Sequence, residues 1–196
     1  MKRFIELPAS KKSLAKRKPV HGIGVNDANY IVQPIGEDGK RTCCPYYRKW
    51  FGMMSRCYSA ACQKKQPTYI GCTVCTEWLR FTVFKAWMEA QPWQGNQLDK
   101  DIIQIGNKVY CPDCCCLPTP EQNKLLNDCR AARGRYPTGV YFDKRNGKFM
   151  ANCWSNGKQK YLGYFDSCHT AEAYYQDCKR DEIIRVAMAS SNERIK

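Results

Sequence analysis

The chain has 196 residues, with 32 Lys and Arg against 18 Asp and Glu, which gives a formal net charge of +14. No apolar run reaches the roughly 20 residues of a membrane span, and residues 1–20 lack the apolar segment and cleavage site of a secretory signal. These features argue against a membrane or secreted protein. They predict an intracellular location and a polyanionic partner, nucleic acid ahead of a membrane surface.

The fourteen cysteines are the second compositional feature. In a reducing compartment such a number indicates metal binding more than a disulfide framework. Some of them are expected to serve as small buried apolar side chains.

The N-terminal half begins with a basic segment and continues into two predicted helices. Residues 1–19 hold seven Lys or Arg and one Glu, which predicts a basic flexible arm, either laid along a phosphate backbone or inert. Aromatic and apolar residues then recur at helical spacing over 46–57, and a denser apolar helix is predicted over 78–88. Pro92 ends that second helix.

The next pattern predicts strand, turn, strand, loop and helix. Residues 98–103 form the first predicted strand, 106–107 the turn and 108–110 the return strand. Thr119 is a suitable N-cap for a helix over 121–129.

Three alternating segments and two Asn-Gly turns follow a basic linker at 130–134. They predict a three-stranded antiparallel sheet over 138–143, 148–154 and 158–165. Ser167 is a good N-cap for a following helix. That helix is expected to pack on the sheet through Ala171, Tyr174, Tyr175 and Cys178.

Alternation divides the side chains of the sheet between two faces. The apolar face is predicted to comprise Val140, Phe142, Phe149, Ala151, Cys153, Leu162 and Tyr164. The opposite, polar and aromatic face is predicted to comprise Tyr141, Asp143, Lys148, Asn152, Trp154, Gln159 and Tyr161. Such a face on a basic sheet favours groove binding over an ordinary solvated surface.

Two pairs of cysteines have the spacing of zinc ligands. Cys72 and Cys75 are separated by two residues, as are Cys111 and Cys114. Two thiolates at this spacing can share one tetrahedral zinc, which predicts a closed structural site. Spacing alone leaves the other ligands open among Cys57, Cys111, Cys114, Cys115 and Cys116.

An acidic triplet lies on the first predicted strand. Asp99, Lys100 and Asp101 form it, and Asn123 lies on the predicted helix downstream. Carboxylate and amide oxygens can hold Mg²⁺, which in a basic protein points to phosphodiester hydrolysis. The alternative is an ordinary solvated strand end.

Several blocks together resemble the HNH homing endonucleases of phage genomes in order and spacing, over residues 20–128. They are GVNDANY, the block from Trp50 to Ser59, GCTVCTEW, FKAWM, LDKDI, GNKVY, CPDCC and Asn123. The resemblance implies a ββα-metal core in which Asp99 and Asn123 bind a catalytic Mg²⁺ or Mn²⁺. It also implies a structural Zn²⁺ held by Cys57, Cys72, Cys75 and Cys115, whereas spacing alone favours the pair Cys111 and Cys114.

Lys100 falls where this family usually has its general-base His, and the two histidines of the chain, His21 and His169, lie far from it in sequence. We expect Asp101 to orient or deprotonate the attacking water and Lys100 to stabilise charge on the phosphate. The alternative is a non-catalytic DNA-binding or regulatory protein that uses the HNH fold as a zinc-stapled scaffold.

Residues 135–180 resemble the plant APETALA-type, ethylene-response-factor DNA-binding domain. The matching residues are Gly139, Val140, Gly147, Lys148, Phe149, Ala151, Leu162, Gly163, Phe165 and Ala171. The resemblance implies that the sheet lies in the major groove of double-stranded DNA, with the helix behind it. The plant pattern has arginines where this chain has Tyr141, Asp143 and Trp154. The predicted interface comprises Tyr141, Asp143, Arg145, Lys148, Asn152, Trp154, Gln159 and Tyr161.

Together these patterns predict an α+β protein that is a metal-dependent HNH DNA endonuclease of the homing type, targeted by its sheet. One such core cuts one strand per binding event, so nicking is expected as much as a double-strand break unless the protein forms a homodimer. A phage-encoded chain would act in the host-cell cytoplasm. The predicted domains are an arm at 1–19, a nuclease domain at 20–129, a linker at 130–134, a DNA-binding domain at 135–188 and a tail at 189–196.

Overall fold

The computed structural model of the protein describes residues 4–36, 39–126 and 134–190. The chain forms two compact units, Met1–Thr119 and Pro120–Lys196. Helices in the described ranges are α1 (Lys11–Ala15), α2 (Pro45–Tyr58), α3 (Ala60–Lys65), α4 (Phe81–Glu89), α5 (Pro120–Leu126) and α6 (Cys168–Met188). Strands there are β1 (Thr73–Val74), β2 (Val109–Tyr110), β3 (Val140–Asp143), β4 (Lys148–Ser155) and β5 (Lys158–Phe165).

The predicted α+β class is confirmed, and so is the helix predicted over 46–57, which is α2. The apolar segment predicted as one helix over 78–88 is divided in two. A 3₁₀ turn at Glu77–Leu79 is followed by α4, because the backbone of Arg80 is extended at φ −93° and ψ 124°. The described residues include no helix long and apolar enough to cross a membrane.

An aromatic core holds the first unit together. Trp50 on α2 and Trp78 are fully buried, and the Trp50 indole Nε1 donates to the Trp78 carbonyl oxygen at 2.7 Å. The Trp78 ring meets Phe84 edge to face, with ring centroids 5.1 Å apart. Burial of rings this large removes much apolar surface from water and thereby stabilises the unit.

The segment predicted as a flexible arm is instead packed on the first unit as far as it is described. Arg17 donates to the carbonyl oxygens of Asn26 at 2.9 Å, of Tyr30 at 2.7 Å, and of Ala28. The amide of Ile31 donates to the Leu7 carbonyl, which adds a backbone link near the chain start. A guanidinium that satisfies three carbonyl oxygens is a structural clamp, so the segment is not a free basic tail.

The hairpin predicted from 98 to 110 does not form. Only Asp99 of the first predicted strand makes a bridge, and its partner is Cys116. The return strand is present as β2, but β2 pairs in parallel with β1, with Thr73 opposite Val109 and Val74 opposite Tyr110. The strand over 98–103 was therefore a wrong prediction, whereas the turn at Gly106 is present with φ +77°.

The second unit contains the predicted antiparallel sheet in the order β3-β4-β5, with α6 packed on one side. Ser167 caps α6 as predicted, because its side chain accepts the Thr170 amide at 3.1 Å. Helix α5, predicted to end the nuclease domain, belongs to this unit and contacts α6. Residues 127–129 of that predicted helix, 130–133 of the linker and 191–196 of the tail lie outside the described residues.

Candidate nucleic-acid interface

The register of the sheet decides which side chains face α6 and which are left open. Cross-strand partners share a face, so Val140 and its partner Ala151 lie on one side together. Both are buried, as is Ala171 on α6, which identifies this side as the one that the helix covers. Phe149 and Phe165 are partners on the same side.

A bulge in β5 changes the predicted alternation. Ala151 pairs with Gly163 and Asn152 pairs with Tyr161, so one extra residue, Leu162, is inserted between two successive pairs. Residues beyond the bulge are shifted by one position relative to strict alternation. Tyr164, predicted on the apolar face, consequently pairs with Met150 on the open face.

The open face is rich in exposed aromatic rings. Tyr141 is 52% exposed, Trp154 53%, Tyr161 54% and Tyr164 42%. The rings of Tyr161 and Tyr164 lie 5.8 Å apart, inclined at 70°. The structure therefore brings together on one face most of the predicted interface: Tyr141, Asp143, Lys148, Asn152, Trp154, Gln159 and Tyr161, with Arg145 in the adjoining turn.

Asp143 accepts three hydrogen bonds that stabilise this face. Its carboxylate accepts the Tyr164 hydroxyl at 2.8 Å, the Asn146 side-chain amide at 2.8 Å and the Arg145 backbone N–H at 2.9 Å. The hydrogen bond from Tyr164, followed by that from Arg145, lowers the pKa of Asp143, and the same bond raises the pKa of Tyr164. Asp143 thus fixes the first hairpin turn and the orientation of the Tyr164 ring.

Charged side chains lie on both sides of the second unit. The open face and its first turn carry Lys144, Arg145 and Lys148, whereas Lys160 and Lys158 pair with Cys153 and Ser155 on the side that α6 covers. Helix α6 itself carries four carboxylates, Glu172, Asp177, Asp181 and Glu182, and three cations, Lys179, Arg180 and Arg185. Of the acids near the sheet, Asp143 is hydrogen-bonded as above and Asp166 pairs with Lys148 at 3.1 Å. The first turn and the open face therefore offer a polyanion the side chains of Lys144 and Arg145, while the charges of α6 nearly cancel.

Helix α5 adds a cation to the open face that sequence reasoning missed. The Lys124 Nζ lies 4.9 Å from the centroid of the Trp154 ring. Glu121 holds α5 to α6 through an ion pair with Arg185 at 3.4 Å. No local pattern in the chain indicates this contact. Sequence reasoning also placed Tyr164 on the wrong face. The glycine at position 163, within a strand pattern, was a signal that a bulge could occur there.

The triplet Asp99, Lys100 and Asp101 lies in a loop of the first unit that is held by hydrogen bonds. Lys100 is 5% exposed, and its ammonium donates to both carboxylate oxygens of Asp101 at 2.8 Å and to the Asn107 carbonyl at 2.6 Å. The Asn107 side chain donates back to the Lys100 carbonyl at 2.9 Å. Asp99 Oδ1 accepts the backbone N–H groups of Asp101 at 2.7 Å and Ile102 at 2.9 Å. These bonds close the loop and give Lys100 a structural role.

The predicted Mg²⁺ ligands belong to different units, Asp99 to the first and Asn123 on α5 to the second. Among the described residues, no three His, Cys, Asp or Glu side chains form a group that could hold a metal ion. Binding of Mg²⁺ by Asp99 and Asn123 stays a prediction.

The predicted zinc ligands lie in the first unit. Cys57, Cys72 and Cys115 are buried in its core. Burial raises the pKa of Cys57 to about 12, with the neighbouring Cys72 as the next cause, and burial raises the pKa of Cys75 to about 11. Cys75 and Cys111 directly follow the paired strands β1 and β2. Zinc binding by Cys57, Cys72, Cys75 and Cys115, or with Cys111 and Cys114, stays a prediction that the metal content of the purified protein would decide.

Comparison with protein-family models, with curated proteins and with solved structures found no match to this chain. Only the sites themselves indicate a function.

Proposed function

We propose that the protein binds DNA through the open face of its C-terminal sheet. The observation that supports this proposal is the combination of four exposed aromatic rings on that face with Lys144 and Arg145 in its first turn and Lys124 over Trp154. Exposed rings of this size are costly on a surface without a partner, and the net charge of +14 attracts a polyanion. The carboxylate on this face, Asp143, is already hydrogen-bonded to Tyr164, Asn146 and the Arg145 amide, so phosphates can approach the basic side chains of the adjoining turn.

Neutralising one basic turn residue tests this proposal. We expect Arg145→Gln to weaken binding of a labelled, partly duplex DNA about fivefold and to reduce the slope of log Kobs against log salt by about 0.9. The physical reason is the loss of one phosphate contact with its released counterion. Binding would be measured by fluorescence anisotropy of the full chain over a salt series.

Arg180→Gln is the matched control, because Arg180 lies on α6 and pairs with Asp177 at 3.0 Å. It removes the same charge from the opposite side of the unit and is expected to change the slope little. Equal effects of the two substitutions would show that DNA is attracted by net charge alone and would overturn the assignment to the sheet.

As a second candidate function we propose DNA cleavage, with Asp99, Lys100, Asp101 and Asn123 as the predicted residues. A specific contact supports it: Lys100 and Asn107 join the LDKDI and GNKVY blocks, two of the blocks that carry the nuclease resemblance, by reciprocal hydrogen bonds. The alternative is a DNA-binding protein in which the same loop only stabilises the fold. The hydrogen bonds from the Lys100 ammonium to both carboxylate oxygens of Asp101 favour that alternative, because they give this side chain a role within the loop.

A plasmid assay separates cleavage from binding. If the endonuclease proposal is correct, the wild type with Mg²⁺ or Mn²⁺ converts supercoiled DNA to open circles, and EDTA abolishes the conversion. Linear product from single encounters would indicate a homodimer. Asp99→Asn should lose the activity at least about a hundredfold while staying folded, because its amide oxygen can still accept the loop N–H groups.

Asp99→Ala serves as the harsher companion variant, since it removes both the charge and the turn bonds. A wild type that retards plasmid on a gel but never cuts it would rule out the endonuclease and leave the DNA-binding proposal standing.

A further inference from the structure

The chemistry of the open face differs from that of a surface built to recognise base pairs. Major-groove recognition relies on hydrogen-bond donors and acceptors aimed at base edges. Here Asp143 is fully engaged within the unit, Lys148 pairs with Asp166, and Asn152 is only partly exposed. Besides Gln159 and the turn residue Arg145, the exposed groups that the face offers to a ligand are mainly aromatic rings.

Aromatic rings recognise the flat faces of bases, and those faces are accessible only when the bases are unpaired. Base–aromatic stacking contributes without regard to sequence, since every base has a π face. Tyr141 and Tyr164 lie on β3 and β5 on either side of Met150, so their rings extend across the whole width of the sheet. Trp154 and Tyr161 continue the aromatic surface towards the second turn.

The position of Lys124 shows that the Trp154 ring presents its face to solvent. A cation 4.9 Å from the ring centroid occupies the position above the ring that a stacked base would take. The Lys124 side chain is exposed and long, so a base can displace its ammonium, which then lies close to the phosphates on either side of that base.

We infer that the open face binds single-stranded DNA, with unpaired bases stacked on Tyr141, Trp154 and Tyr161 and with Lys124 contacting the backbone. The inference rests on the proposed DNA-binding function and names the form of DNA that the sheet takes. Charge supports it, because Lys124 lies over the Trp154 ring and Lys144 and Arg145 lie in the turn between β3 and β4.

Binding to two DNA forms tests the inference with the full chain. One is a labelled, unstructured oligonucleotide of about a dozen nucleotides, and the other is a closed dumbbell duplex of the same composition, which has no single-stranded end. We expect the single strand to bind at least about tenfold more tightly than the dumbbell. Tyr161→Leu should weaken single-strand binding about tenfold, and Tyr161→Phe, which keeps the ring, should restore it.

Tyr174→Leu is the matched control. Tyr174 is 55% exposed, close to the 54% of Tyr161, but lies on α6 beside Phe165. It should change affinity less than about twofold. Lys124→Gln should lower the salt slope for single strands by about 0.7.

Each other outcome has one meaning. Binding to neither DNA form would overturn the proposed function itself. Dumbbell binding as tight as single-strand binding would overturn the inference but leave the proposed DNA binding intact. Tighter binding of an RNA of the same sequence would overturn the inference and indicate RNA as the ligand. Equal losses from Tyr161→Leu and Tyr174→Leu would show that the strand binds elsewhere.

Discussion

Alanine at position 139 is expected to destabilise the C-terminal unit by about 3 kcal/mol or more. Gly139 has φ +77°, a left-handed conformation that costs a side chain about 1–2 kcal/mol. An added Cβ would also overlap the Tyr175 ring on α6 and lie 2.6 Å from the Asn152 carbonyl oxygen. The Asn152 amide donates to the Gly139 carbonyl at 2.8 Å, so the backbone cannot move away without breaking the sheet.

Gly147→Ala measures the cost of a side chain at positive φ without the steric overlap that occurs at position 139. Gly147 also has a positive φ, +62°, but a Cβ there meets nothing within 4 Å. It should cost only about 1 kcal/mol. Native-state hydrogen exchange of the amides of β3 to β5 in the full chain measures both, since it reports on this unit alone. Equal costs at the two positions would mean that the Tyr175 contact contributes nothing to the effect.

The C-terminal sheet was predictable because its signals are local. Alternation, the two Asn-Gly turns and the Ser167 cap each act within a few residues, and all three agree on one structure. The turns have the expected positive φ values at Asn156, Gly157 and Gly147. What alternation could not supply was the face of Tyr164, because a single inserted residue reverses every assignment beyond it.

Long-range contacts explain the elements that were predicted wrongly. Residues 98–103 carry a strand pattern, but burial of the Lys100 ammonium against Asn107 turns that segment into a loop. The neighbouring strand β2 finds its partner in β1, which lies more than 30 residues upstream. The first nineteen residues look like a solvated tail until Arg17 meets the carbonyls around Ala28. No local pattern encodes such contacts.

The common face of the predicted interface residues follows from the same kind of local signal. Their side chains lie on one sheet, where register alone decides which of them share a face. The proposed Mg²⁺ ligands instead depend on bringing a loop of one unit to a helix of another, a tertiary relation that spacing along the chain does not determine. The contact of Lys124 with Trp154 was not predicted for the same reason, since it depends on the packing of α5 on α6.

Replacing Glu182 by glutamine is expected to lower the free energy of unfolding of the C-terminal unit by about 2–3 kcal/mol at neutral pH. The Glu182 side chain is 4% exposed and lies where α6 meets the turn between β4 and β5. Its carboxylate accepts the Asn156 amide at 3.0 Å, the Ser155 hydroxyl at 3.1 Å and the Arg185 guanidinium at 2.7 and 2.9 Å. Glutamine keeps the shape but loses the charge and directs an amide group at these donors.

The same network makes the stability of the unit depend on pH. Arg185, more than any other group, lowers the pKa of Glu182 from 4.5 to about 2. Because the folded-state pKa lies below the unfolded value, the stabilisation is fully present above pH 4.5 and is lost as the pH falls through about 2. Between those values the wild type should become steadily less stable, whereas Glu182→Gln should show a shallower dependence.

Urea unfolding of the full chain, followed by far-UV circular dichroism over this pH range, measures the difference. Asp181→Asn is the matched control, since Asp181 is the exposed neighbour on the same helix and loses the same charge. Its unfolding should follow the wild type to within about 0.5 kcal/mol. If both variants lost the same stability and kept the same pH profile, α6 would be held to the second turn by packing rather than by the buried carboxylate.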